Sequence, residues 1–418
     1  MARVKAKKKK KTGRSTPTGK STTPTGKSTT PTGKSTEPAK STPPKKKPAA
    51  KAKAADTAAP PEKPLTPLEK IAQLDRELVK LIQERGRIVK QLAKRGDAAA
   101  AAVSALGAGS DQLTDEVIGR GRGPVSRRSL RAVFRELHSG CRSLIGKSRI
   151  AFLGPTYSYS HLAAIHSFGQ SVEFVPVGSI PAVFEEVNRG LSDFGLVPIE
   201  NSTDGRIVDT LDMFTRLPVK ICGEVDMEIH HTLLGKCPRA EVREVYSRPQ
   251  ALSQCRNWLA KHLPAARTIE VTSTSIAAQL AKEKPATAAI ASLQAGIYYG
   301  LDVLAERIED NTSNTTRFAI IGDSSPEPTE NDKTAILFQV EHRPGGLAEA
   351  MNIFKSNGLN LTWIESFPIP GPDRGYLFFM ELEGNESDKP VQKALAALER
   401  KALRLEVLGS FQATEVVD

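Results

Sequence analysis

The sequence predicts a multidomain chain: a disordered basic tail, an all-α helical region, a two-lobed α/β domain and a C-terminal α+β domain. Three observations predict it. Residues 1–64 are mostly Lys, Thr, Pro and Ala, with almost no large apolar side chains. From Leu68, apolar residues recur at three- and four-residue steps, the spacing of one helix face. From Arg149, short apolar runs alternate with Gly-, Pro- and Ser-rich turns and helical stretches, which is the α/β pattern.

The tail, residues 1–64, holds 18 of the 59 basic side chains and 3 of the 47 acidic ones, leaving 41 basic against 44 acidic elsewhere. The excess of positive charge therefore belongs to the tail and not to the folded body. Three copies of Thr-Pro-Thr-Gly-Lys-Ser-Thr begin at Thr16, Thr23 and Thr30. A seven-residue repeat without apolar positions builds no buried face, so it is low complexity. Gly19-Lys20-Ser21 is no phosphate loop, because the glycine such a loop needs upstream is out of register. The Lys7–Lys11 run has the charge to neutralise nucleic-acid phosphates, but blocks of this composition are solvated and disordered, and that reading is preferred. Cys141, Cys222, Cys237 and Cys255 show no Cys-x-x-Cys spacing, which suits reduced thiols in a cytoplasm. No apolar run approaches the ~20 residues that span a bilayer.

Over residues 65–147 two helices are expected. Thr66 caps the first, Pro67 suits its first turn and Glu69 completes a capping box. Leu68, Ile71, Leu74, Leu78, Leu81, Ile82, Ile88, Val89 and Leu92 then form one stripe on a helix over 67–95. The second runs over 129–144, opened by Gly123-Pro124-Val125-Ser126.

In the α/β region, 148–325, strands lead directly into polar helix starts. Ile150–Leu153 leads into Gly154-Pro155-Thr156-Tyr157-Ser158-Tyr159-Ser160-His161, and Phe194–Ile199 into Glu200-Asn201-Ser202. Glu244–Ser247 precedes Pro249-Gln250-Ala251-Leu252, Thr268–Val271 precedes Thr272–Ser275, and Thr287–Ala291 precedes Ser292. Free N–H groups and the helix dipole converge at such junctions and favour anions.

The Gly-Pro-x-x-Ser-Tyr-Ser-His-Leu-Ala-Ala, Pro198-Ile199-Glu200-Asn201-Ser202, Ser-x-Pro-Gln-Ala-Leu and Thr316-Arg317-Phe318 segments resemble the prephenate dehydratase family in order and spacing. The resemblance implies a bilobal fold like that of periplasmic binding proteins, with the active site between the lobes. It also implies conversion of prephenate to phenylpyruvate, with arogenate as the alternative substrate. Thr316 matches the essential threonine, placed to hydrogen-bond the leaving hydroxyl, with Glu200 and Asn201 as catalytic partners. Ser158, Ser160, Ser202, Thr274, Arg317 and Phe318 are candidates for substrate binding; several of them suit helix capping equally well, and Arg317 a structural salt bridge. No cofactor or metal is required. Tyr157 stands where the family often has glycine, and Arg248 where it often has histidine.

Leu74-Asp75, Glu84-Arg85 and Gly123-Pro124-Val125-Ser126 leading to Phe134-Arg135-Glu136-Leu137 resemble the chorismate mutase domain of bifunctional bacterial proteins. That chemistry holds two carboxylates with cations. Of the charges the resemblance implies, Arg85 is kept. Leu68, Gly96, the Gly109–Gln112 stretch and Ile145 fall where other charged or polar groups are expected, although Lys94 and Arg95 lie close to Gly96. A degenerate mutase domain is expected, with a bifunctional enzyme as the alternative.

Residues 331–418 alternate strand, helix, strand, strand, helix, strand, a ferredoxin-like order. Gly345-Gly346-Leu347 and Asn360-Leu361-Thr362-x-Ile364-Glu365-Ser366 resemble the ACT domain that senses phenylalanine in this family. Gly345, Gly346, Leu347, Asn360, Glu365 and Ser366 are therefore the expected effector site, with Phe367 replacing a usual arginine. The resemblance implies feedback inhibition by L-phenylalanine and a homodimer or homotetramer. A non-catalytic amino-acid sensor is the alternative from another class.

Overall fold

The computed structural model describes residues 65–95, 117–119, 123–203, 205–323, 325–369 and 375–413. The basic tail with its repeats, Gly96 and the Gly109–Gln112 stretch lie outside these residues.

Helix α1 spans Pro67–Ala93. Its capping box forms as the sequence predicts: the Glu69 N–H donates to Thr66 Oγ1 at 3.3 Å and the Thr66 N–H to Glu69 Oε2 at 2.7 Å. Helix α2, Arg127–Arg142, starts two residues earlier than expected because Ser126 itself is the cap, accepting from the Ser129 N–H. Val89 and Cys141 pack between the two helices with Leu92 and Leu137. The rest of the α1 stripe is exposed, Leu68 by 78% and Leu81 by 63%.

The next region holds two sheets. The first is ordered β2 (Glu173–Val177), β1 (Arg149–Leu153), β3 (Phe194–Asn201), β11 (Thr315–Gly322), β5 (Lys220–Glu228), with the short β4 (Gly205–Arg206) paired to β3. Strand β1 is parallel to β2 and β3, whereas β11 is antiparallel to β3 and β5. Helices α3 (Tyr159–Phe168), α4 (Ile180–Asn188) and α5 (Val208–Phe214) belong with it. The second sheet is ordered β10 (Asp302–Ala305), β6 (Thr232–Gly235), β9 (Thr287–Ala291), β7 (Glu244–Ser247), β8 (Arg267–Glu270). Helices α6 (Pro249–Gln254), α7 (Arg256–His262), α8 (Thr274–Glu283) and α9 (Leu293–Tyr299) accompany it. This second sheet is inserted between β5 and β11, so the chain crosses at 229–231 and returns at 306–314. Ser158, Ser179, Ser273 and Ser292 cap α3, α4, α8 and α9 through their hydroxyls.

The C-terminal sheet is ordered β13 (Leu361–Pro368), β14 (Tyr376–Glu383), β12 (Asp332–Val340), β15 (Ala402–Gln412), antiparallel throughout. Alternation gives it two apolar faces. One packs Ile336, Phe338, Met380 and Leu382 under α10 (Gly346–Ser356) and α11 (Lys389–Glu399). The other sets Leu337, Phe379, Leu408 and Phe411 into one core with Ile199, Ile221 and Ile321 of the first sheet and Phe214 of α5. At Gly409 the strand comes so close to β5 that a Cβ would lie 2.3 Å from the Ile221 carbonyl oxygen. Among the described residues, no helix is long and apolar enough to cross a membrane, and no disulfide joins the four cysteines.

Candidate active site

Strands β3 and β11 run side by side with Thr316 opposite Asn201 and Arg317 opposite Glu200. Successive side chains of a strand point to opposite faces, so these two pairs face opposite ways. Asn201, 4% exposed, donates from Nδ2 to Thr316 Oγ1 at 2.7 Å and to Asn314 Oδ1 at 3.1 Å. Its own Oδ1 accepts the Thr203 N–H at 3.0 Å. Because an N–H is aimed at Thr316 Oγ1, that oxygen acts as acceptor toward Asn201, and its own proton is directed elsewhere. Thr316 is half-buried. Ser202 locks the strand ends, donating to the Ser313 carbonyl and accepting the Thr315 N–H at 2.9 Å.

Behind this pair lies a polar chain whose members sequence reading gave no site role. Asn314 Nδ2 donates to Gln254 Oε1 at 3.1 Å, and His231 Nε2 lies 2.8 Å from the same oxygen. Burial holds the pKa of His231 down, which leaves it neutral with the proton on Nε2. Tyr159 of α3 donates to the His230 carbonyl at 2.6 Å and sits 3.3 Å from His231 Nδ1. His230 turns the other way, to Glu228 and the buried Glu309. Asn314 adjoins the Thr-Thr-Arg-Phe run, and Gln250 and Gln254 stand one turn apart in α6. Those were the available signals, and neither carries a charge or a metal-ligand spacing to mark it.

The remaining candidates divide. Ser158 donates to the Leu153 carbonyl while capping α3, and Ser160 is buried in the first turn. Thr274 is buried as the first residue of α8, where Ser273 and not Thr274 makes the cap. Tyr157 explains the family's preference for glycine, since its φ is 65°. Its ring stacks on Tyr298 at 4.2 Å and packs against the core beside the second sheet that includes Ala277, Ala278 and Ala295, and Ser292, the cap of α9, donates to its carbonyl. The helix starts of α3 and α9 are thus tied together across the two sheets.

The structure does not bring Arg317, Glu200 or Phe318 to Thr316 Oγ1. Phe318 is 2% exposed in the core with Ile150, Phe152 and Leu196. Arg317 pairs with Glu381 at 2.6 Å and with Glu200 and Glu224 at 3.3 Å. Burial disfavours its charge, but Glu381 above all, with Glu224 and Glu200, more than offsets that and keeps it protonated. Among the effector candidates, Gly345 adopts φ 83°, and a Cβ on Gly346 would meet the Glu341 carbonyl at 2.6 Å. Leu347, the second residue of α10, is exposed and not part of the core beneath that helix. Asn360 borders an open depression of about 460 Å³ with Met351, Phe354 and Leu361. Glu365 points away from Ser366 and pairs with Arg206 of β4 at 2.5 Å. In the helical region Arg85 is half-buried, with one terminal nitrogen buried and lacking a hydrogen-bond partner among the described residues. Lys94, Arg95 and Ile145 are exposed.

The site is thus an uncharged hydroxyl–amide pair beside capped helix starts, in a domain whose first sheet shares a core with the C-terminal sheet. Comparison with known proteins agrees. The family model for prephenate dehydratase matches residues 150–326, that for the ACT domain 334–400, and that for chorismate mutase type II 68–145. A bifunctional chorismate mutase/prephenate dehydratase of Aquifex aeolicus is 38% identical over 350 residues, 82% of this chain and 96% of that protein. A prephenate dehydratase of Amycolatopsis methanolica is 34% identical over 63% of this chain and 88% of its own. A solved structure of prephenate dehydratase in complex with L-Phe from Arthrobacter aurescens superposes with a TM-score of 0.60 at 31% identity, covering 63% of this chain and 90% of that one. The chain belongs to the chorismate mutase/prephenate dehydratase family.

Proposed function

We infer that the chain is a prephenate dehydratase, eliminating carbon dioxide and water from prephenate to form phenylpyruvate. The observation that carries this is the 2.7 Å contact from Asn201 Nδ2 to Thr316 Oγ1. In the reaction the ring carboxylate leaves as CO2, its bonding electrons pass through the diene, and the C–O bond of the 4-hydroxyl breaks as the ring becomes aromatic. The departing hydroxide takes up a proton and leaves as water. Thr316 alone is a weak acid. With Asn201 donating to its oxygen, charge that develops as the Thr316 O–H engages the leaving group is stabilised. Asn314, Gln254 and His231 hold the Asn201 amide in that orientation. The helix starts at Ser158, Ser160 and Thr274 offer N–H groups to the substrate's carboxylates. Ser202 fixes the strand ends, and Glu200 acts from behind the site through Arg317.

Two sheets joined by two crossings support reading 148–325 as a binding-protein-like bilobal domain. Strand order supports a ferredoxin-like ACT domain over 331–418. L-phenylalanine is the effector we assign to it, since the Arthrobacter relative is a complex with that amino acid. The exposed stripe of α1 supports pairing with a second copy, giving a homodimer or homotetramer, and a biosynthetic enzyme of this family works in the cytoplasm.

A second reading adds chorismate rearrangement and is favoured by the mutase match over 68–145. Against it, Leu68 and Ile145 stand where charged or polar groups are expected, while Arg85 is kept and Lys94 and Arg95 lie close to the position of a second cation. Chorismate given to the purified protein, followed by prephenate, separates the readings. Phenylpyruvate formed only after the prephenate addition supports a dehydratase with a mutase relic. Loss of chorismate above an enzyme-free control makes the chain bifunctional, and failure of both steps overturns the dehydratase.

A further inference from the structure

Two arginines stand immediately behind the candidate site. Arg317 follows Thr316 on β11, and Arg206 on β4 lies opposite Glu200, the neighbour of Asn201. Both reach into the C-terminal sheet. The Arg317 guanidinium meets Glu381 of β14 at 2.6 Å and lies 4.5 Å from the ring centroid of Trp363 on β13. Arg206 meets Glu365 at 2.5 Å and lies 5.5 Å from the ring centroid of Phe367. Trp363, Glu365 and Phe367 are alternate residues of one strand, so a single face of β13 meets the back of β11, which carries Thr316, and the β4 strand paired to β3. The grip continues through Glu224, which pairs with Arg317 and, at 2.7 Å, with Lys333 of β12.

We propose that Arg317 is a positioning residue that fastens Thr316 to the C-terminal sheet, and that a change in that sheet reaches the reaction through this side chain. The proposal rests on the dehydratase reading for its kinetic arm only. The geometry leaves little alternative use for Arg317. Three carboxylates occupy its charge, an indole covers one face, and its side chain leaves β11 on the side away from Thr316 Oγ1. A guanidinium is suited to this because its planar fork contacts several carboxylates while stacking on an aromatic ring. Movement of β13 or β14 by a fraction of an ångström would displace Arg317 and the backbone of the adjacent Thr316. The Thr316 hydroxyl must stay aligned with the leaving group for the reaction to proceed. Phe367, which stands where the family usually has arginine, joins the same grip by stacking on Arg206.

Removing Arg317 itself would strand the buried Glu381 and endanger folding, so the decisive variants lie in the C-terminal sheet, away from the substrate. Glu381→Gln and Trp363→Leu, made in the full chain, are compared with Trp363→Phe, which keeps an aromatic face. The first two should lower kcat on prephenate about 10- to 100-fold, the cost of misplacing a reacting group by up to an ångström. KM should stay within about twofold, because interactions made only in the transition state are lost. Trp363→Phe should restore most of kcat. Without any substrate, hydrogen exchange of the 315–318 amides should speed up in Glu381→Gln and not in distant strands such as β8. Unchanged kcat and unchanged exchange in both variants would overturn the proposal. So would a fall confined to kcat/KM through a raised KM, which would make Arg317 a substrate ligand. If the wild-type protein leaves prephenate untouched while the exchange change is present, the dehydratase reading fails and the mechanical coupling stands.

Discussion

Replacing Thr316 with valine removes one hydroxyl and nearly nothing else. Valine is β-branched and close to threonine in size, so β11 keeps its strand preference and the site its shape. The stability cost follows from the partners. Asn201 Nδ2 loses Thr316 Oγ1 at 2.7 Å but retains Asn314 Oδ1 at 3.1 Å and the Thr315 carbonyl at 3.4 Å. One half-buried hydrogen bond is then the loss, about 1 kcal/mol. The catalytic cost is larger, because the hydroxyl is the group we assign to the leaving oxygen. A positioned proton donor contributes about 10²- to 10⁴-fold, so kcat should fall by that factor with KM little changed. The assay is phenylpyruvate formation from prephenate at saturation, with a thermal melt of the same sample. A kcat within about threefold of wild type, far short of what a proton donor supplies, would refute the role assigned to Thr316.

Other expectations follow from the same network. Gln254→Leu removes the acceptor shared by Asn314 and His231, leaving buried donors unpaired; a loss of about 1–3 kcal/mol in stability is expected, with a clear fall in kcat, and wild-type values for both would dissociate Gln254 from the site. Gly409→Ala places a methyl group against the Ile221 carbonyl at a φ of 140°; a destabilisation of about 3 kcal/mol by calorimetry is expected from overpacking and backbone strain, and an unchanged melt would contradict the close approach. Asp226, beside Arg317, is pushed up to about 6, first by burial and then by the negative charge of Glu224, with Glu200 adding to it and Arg317 and Lys333 opposing. A carboxyl with a raised folded pKa favours the protonated folded state, so its contribution is full below pH ~3.8 and is lost as pH rises through about 6. Asp226→Asn should therefore raise the melting temperature relative to wild type at pH 8 and much less at pH 4; a difference independent of pH would contradict the shift.

Much of the fold was legible because its signals are local. The Thr66–Glu69 capping box, the serine caps of α3 and α9, and the strand–helix order of the C-terminal sheet each depend on a few adjacent residues. The pairing of Asn201 with Thr316 was legible only as two motifs, since nothing local places β3 beside β11. The role of Arg317 was left open by the sequence for a physical reason. A guanidinium beside a reactive threonine suits a substrate carboxylate and a salt bridge equally until the acids on the other side of the strand are known. Glu381 and Trp363, which decide it, lie 64 and 46 residues away along the chain. Gln254, His231 and Asn314 were given no site role because uncharged side chains act here through orientation. Tyr157 stood out only as a departure from glycine until its left-handed backbone and its stacking on Tyr298 gave it a place.

The most direct test of the central claim uses prephenate labelled with carbon-13 in the ring carboxyl, followed by NMR as the purified full-length protein acts on it. Labelled carbon dioxide and phenylpyruvate should appear in equal amounts and at equal rates. Absence of labelled carbon dioxide, or its release with a hydroxylated aromatic product, would contradict the elimination assigned to the Thr316–Asn201 pair.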